Sequence, residues 1–77
     1  MVKIEKEILE NLLKEIQNEI EQVEKLMERY KEDMTIYTDI SQIMKMRIEY
    51  EYMKGMLRAY HNVRMLIKEK LNTGDEE

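Results

Sequence analysis

The sequence predicts an all-α fold: an antiparallel two-helix hairpin, coiled-coil-like, that dimerises into a four-helix bundle. Three observations carry this. An apolar seven-residue repeat runs through the first half, its phase restarts after Asp39, and the second half bears a second apolar stripe. A heptad repeat held over several turns implies left-handed packing against a partner helix rather than a lone amphipathic helix.

In the first segment Leu13, Ile20, Met27 and Met34 occupy a positions. Val2, Leu9, Ile16, Val23, Tyr30 and Tyr37 occupy d positions, and Lys6 breaks the series. This places a first helix over about residues 3–33. A connection is expected over residues 34–39, closed by Asp39-Ile-Ser-Gln42. There a carboxylate accepts from the free backbone N–H groups of a new helix, and a glutamine three residues on reaches back.

The second helix is expected over about residues 40–71. Its a positions are Ile43, Tyr50, Leu57, Arg64 and Leu71, and its d positions are Met46, Met53, Tyr60 and Ile67. Asn72 or Gly74 supplies a C-terminal cap, because both tolerate the left-handed conformation. The hairpin thus spans residues 1–72, and residues 73–77 form an acidic, disordered tail. A short connection makes the helices antiparallel neighbours. In the register that sets a against d, Leu13 meets Ile67, Ile20 meets Tyr60, Val23 meets Leu57, Met27 meets Met53 and Tyr30 meets Tyr50. Ile16 faces Arg64, whose charge snorkels outward over its apolar stem.

One hairpin leaves too much uncovered. Met44, Ile48, Tyr52, Met56, Ala59, Val63 and Leu66 form a second stripe on the second helix, at steps of three and four. Ile4, Ile8, Leu12 and Leu26 lie off the seam of the first. A helix with two apolar stripes needs two partners. Cysteine is absent, and His61 is the single histidine. Neither disulfides nor a typical zinc site can therefore staple so short a chain. Self-association remains, through an interface of Met44, Ile48, Tyr52, Gly55, Met56, Ala59, Val63 and Leu66. Gly55 and Ala59, one turn apart, let two backbones approach, or Gly55 is simply tolerated.

Charge divides along the chain. Residues 1–33 carry ten acids and six bases, and residues 40–71 carry three acids and seven bases. Arg47, Lys54, Arg58, His61 and Lys68 line one flank of the second helix. The plain expectation is flanking ion pairs, Glu24 with Lys54 and Glu10 with Lys68, each worth a few tenths of a kcal/mol. The sharper one is a strip that binds the phosphates of a nucleotide or nucleic acid. Nucleic acid is not expected: the net charge is −4, the pI is about 5.1, and no groove-reading motif is present.

Catalytic constellations are missing. There is no Glu-x-x-His pair, since Arg58 stands three residues before His61, and no phosphate-cradling glycine loop. No enzyme and no cofactor is expected. Eight methionines are present, most of them on the apolar faces. They either fill gaps in an irregular core or suit surfaces that adapt to more than one partner. Tyr30, Tyr37 and Tyr50 mark the loop end as a place for a partner contact. No run of 18 apolar residues exists, and the opening Met1-Val-Lys-Ile-Glu-Lys-Glu7 lacks a signal-peptide core. A cytoplasmic chain off the membrane is expected.

The leading expectation is a non-enzymatic homodimeric regulator or antagonist that binds an unidentified protein. Capture of a phosphate-bearing ligand by the basic strip is the first alternative. A structural coiled-coil subunit of a larger assembly is the second.

Overall fold

A computed structural model of the chain describes residues 2–74. It contains two helices, α1 (Lys3–Ile36) and α2 (Ile40–Gly74), packed against each other. Tyr37, Thr38 and Asp39 join them, a connection that returns α2 antiparallel along α1. The result is a thin rod, 58 × 14 × 13 Å. Helices of 34 and 35 residues account for most of its long dimension at 1.5 Å per residue.

The seam is the one read from the heptads. Ile20, Val23, Met53 and Ile67 are buried. Leu9, Leu13, Ile16, Met27, Tyr30 and Met34 of α1 are half-buried beside them. So are Ile43, Met46, Tyr50, Leu57, Tyr60, Arg64 and Leu71 of α2. Val2 and Tyr37 depart from the assigned pattern, being 61% and 47% exposed. Both lie just outside α1, where helical periodicity no longer aims the side chain. Tyr37 is already extended, at φ −75° and ψ 140°.

The helix ends explain the shorter connection. α1 continues three residues beyond Asp33, and the Thr35 hydroxyl donates to the Glu32 carbonyl at 2.6 Å. The Tyr37 N–H then donates to the Asp33 carbonyl at 3.3 Å. Asp39 caps α2. Its Oδ1 accepts from the Ser41 N–H at 2.9 Å, and its carbonyl accepts the first helical bond, from Ile43, at 3.0 Å. Among the described residues Gln42 returns no bond to Asp39, so the cap works in one direction only.

At the far end α2 runs past Leu71 through Asn72, Thr73 and Gly74. The Thr73 hydroxyl donates back to the Glu69 and Lys70 carbonyls at 3.0 and 3.2 Å. No described residue, glycine or other, has a positive φ, so the left-handed cap expected at Asn72 or Gly74 does not form within residues 2–74. Thr73 and Gly74, expected to begin the tail, belong to the helix; the rest of that segment lies outside the described residues.

Candidate functional site

Two flanks border the seam, and they differ in chemistry. In an antiparallel pair the g positions of both helices lie on one side and the e positions on the other. Leu12 and Leu26 of α1 share the g side with Met56 and Val63 of α2. Ile8, Tyr52, Ala59 and Leu66 lie one step further round on the same side. The e side carries Glu10 and Glu24 opposite Lys54, His61 and Lys68.

The g side stands open. Tyr52 and Leu66 there are 70% and 63% exposed, and Met44 and Ile48, further round α2 at b and f positions, are 59% and 67% exposed. Leu12, Leu26 and Val63 are partly covered by the seam edge, and Met56 is half-buried there. Gly55 and Ala59 are exposed. A Cβ added at Gly55 would meet nothing within 4 Å. The glycine therefore satisfies no steric need inside the hairpin, although it costs about 1 kcal/mol of helix propensity relative to alanine.

At the loop end of this side, Tyr30, Tyr37, Gln42, Lys45, Met46 and Glu49 line a cleft of about 260 Å³. Tyr30 donates its hydroxyl to the Glu49 carboxylate. That bond, with partial desolvation and the nearby charges of Glu49 and Asp33, holds the Tyr30 phenol above its ordinary pKa. Tyr50 does not join these two tyrosines; it faces the opposite flank. Glu49 was not singled out from the sequence, although its place one residue before Tyr50, opposite Tyr30, was a usable signal. Ile36 and Ile40, each 73% exposed, bracket the turn and extend its apolar surface.

On the e side the basic strip divides. Lys54, Arg58, His61 and Asn62 edge a groove of about 420 Å³ whose floor is Met27, Tyr50 and Leu57. The same three floor residues continue into a smaller cleft, about 200 Å³, bordered by Glu24, Glu28 and Lys31. Arg47 is drawn away from this groove, pairing with Glu51 at 3.3 Å. Lys54 also reaches Glu51, at 3.7 Å. The ion pairs expected across the hairpin, Glu24 with Lys54 and Glu10 with Lys68, are not formed among the described residues. The reason is proximity: one turn along a helix holds Arg47, Glu51 and Lys54 side by side without ordering a second helix. Lys68 is exposed and borders neither cleft.

No group of three or more His, Asp or Glu side chains among the described residues is placed to hold a metal ion. No described helix is long and apolar enough to cross a membrane. The chain matches no protein-family model, no curated protein and no solved structure. What geometry defines is a helical hairpin with an exposed apolar stripe on α2 and clefts edged by charged side chains on both flanks of the seam.

Proposed function

We propose that this protein is a non-enzymatic interaction module: a homodimeric four-helix bundle that binds and regulates another protein. One observation carries the reading. Among the described residues the hairpin buries only Ile20, Val23, Met53 and Ile67, while Met44, Ile48, Tyr52, Val63 and Leu66 of α2 stay exposed to water. Its accessible surface is 6305 Å², against about 5,000 Å² for a compact monomer of its mass. The excess is comparable to what one partner contributes to a stable dimer, roughly 800 Å² or more. A second copy supplies the missing cover at no cost in new sequence, and twofold pairing closes the assembly.

The loop end is the place for the regulated partner. Ile36, Tyr37, Ile40 and Met44 present exposed apolar surface beside the tyrosine cleft. Tyrosine and methionine suit an adaptable contact. Substituting Met56 and Val63 together with glutamate tests the dimer. Monomers or unfolded chains are expected by light scattering and circular dichroism; an unchanged dimer mass would remove the argument.

A second reading is supported by the groove that gathers Lys54, Arg58 and His61 over an apolar floor. It binds a phosphate-bearing ligand with an apolar portion. Affinity for a nucleotide would then fall steeply with ionic strength and on Arg58→Ala. Absence of binding at low salt eliminates it.

A further inference from the structure

We infer that two copies join through α2 packed antiparallel on its counterpart, with the twofold axis passing between Gly55 and Met56. This deepens the dimer reading above and rests on it. The exposed stripe runs from Met44 to Leu66 with its midpoint at Gly55, half a residue from that axis. Reflecting the stripe through it places Ile48 against the partner copy's Val63, Tyr52 against its Ala59, and Met56 against its Gly55. Each small residue receives a large one. A parallel pairing does the opposite: Tyr52 would oppose Tyr52, and Gly55 would oppose Gly55, leaving crowding at one level and a void one turn on. Packed interfaces tolerate neither.

Gly55 supplies the independent geometric support. Its Cβ position is empty space within the hairpin, so nothing inside one chain explains a glycine in the middle of a 35-residue helix. Across the axis, the missing side chain leaves room for the Met56 thioether. Antiparallel α2 pairing also brings Leu12 and Leu26 of α1, on the same side, to the margins of the interface. The two loop ends then point away from each other, one at each end of the bundle.

The chain lacks cysteine, so single-cysteine variants report the register cleanly. Met56→Cys lies within a residue of the axis and is expected to form a self-linked dimer on mild oxidation, as is Gly55→Cys. Ile48→Cys sits with its counterpart about 22 Å away along the pair, at 1.5 Å per residue, far beyond disulfide reach. It should not link to itself, yet should link to Val63→Cys when the two variants are mixed. Helicity and mass before oxidation establish that each variant folds and associates. Self-linking of Ile48→Cys would overturn the inference in favour of a parallel pair. Dimer mass with no link at any of these positions would overturn it while leaving the dimer intact. Monomer mass for the unsubstituted chain would end both.

Discussion

Tyr30 on α1 donates its phenolic hydrogen to the carboxylate of Glu49 on α2, joining the helices at the loop end of the seam. The bond fixes the register within one residue of the expected pairing of Tyr30 with Tyr50. It also places a titratable donor where the two helices diverge from the turn.

The first prediction concerns pH. The bond to Glu49 requires the protonated phenol, so folding raises the Tyr30 pKa above its ordinary value of 10.0. A group that binds its proton more tightly when folded contributes stability below its unfolded pKa. That contribution is lost as pH rises from about 10 through the higher folded value. Phenolate absorbance should therefore resolve one of the five tyrosines titrating late, and Tyr30→Phe should remove that late component. Glu49→Gln should return it towards the others. A titration curve unchanged by either substitution would contradict the contact.

Asp39 concerns the turn. Its carboxylate satisfies the Ser41 N–H at 2.9 Å, and among the described residues Gln42 adds no second bond. The whole cap therefore rests on one side chain. Asp39→Ala should cost about 1 kcal/mol, read as a lower urea midpoint with an unchanged slope. Asp39→Asn, which keeps the accepting oxygen, should recover most of it.

Glu51 sits between Arg47 and Lys54 at 3.3 and 3.7 Å, with all three side chains about half exposed or more. Exposed pairs within one helix contribute about 0.3–0.5 kcal/mol each and are screened by salt. Glu51→Gln should therefore shift stability by well under about 1 kcal/mol, with the difference shrinking at high ionic strength. The same change releases Lys54 towards the e-side groove. If that groove binds a nucleotide, affinity should rise, which isothermal titration at low salt would detect.

How far the sequence reached can be argued from particular positions. The seam was legible because burial recurs every 3.5 residues, and both helices keep that period from Leu9 to Met34 and from Ile43 to Leu71. The Asp39 cap was legible because few residue types do that job. The extent of α1 was not: Thr35 and Ile36 are weak helix formers by propensity, but the Thr35 hydroxyl bonds within the last turn and the chain keeps its helical course. The direction of the ion pairs was hidden as well, since Glu51 competes locally with the distant Glu24 and only coordinates show which wins. The open apolar stripe could be read residue by residue from spacing. The exposure of Ile36 and Ile40 could not, because both flank the turn, where heptad spacing does not fix which way a side chain faces.

Gly55 offers a test that separates the stability of one hairpin from that of the proposed pair. With space around the added methyl, Gly55→Ala should raise the stability of the isolated hairpin by about 1 kcal/mol through helix propensity. In the proposed pair the same methyl would intrude where Met56 of the second copy is placed, so association should weaken. Thermal melts over a range of concentrations distinguish the two effects. The variant is expected to melt higher at high dilution and to show a weaker rise with concentration than the unsubstituted chain. A uniform gain at all concentrations would mean that no backbone approaches this position.

Arg64 is the charge set into an a position of α2, half-buried among a and d residues of that helix that are otherwise apolar or aromatic. An arginine there covers its neighbours with its stem but leaves a polar head at the edge. Leucine would put apolar area in its place. Arg64→Leu should stabilise the hairpin by about 1 kcal/mol, on the scale of a partly buried leucine. Coiled-coil-like packing gives a reason for keeping the charge despite that loss, because a polar residue at a single a position disfavours slipped registers and larger assemblies. The variant should therefore be more stable and less uniform: a higher urea midpoint, with higher-mass species appearing in sedimentation velocity. A higher midpoint with an unchanged mass distribution would assign Arg64 no part in specifying the assembly.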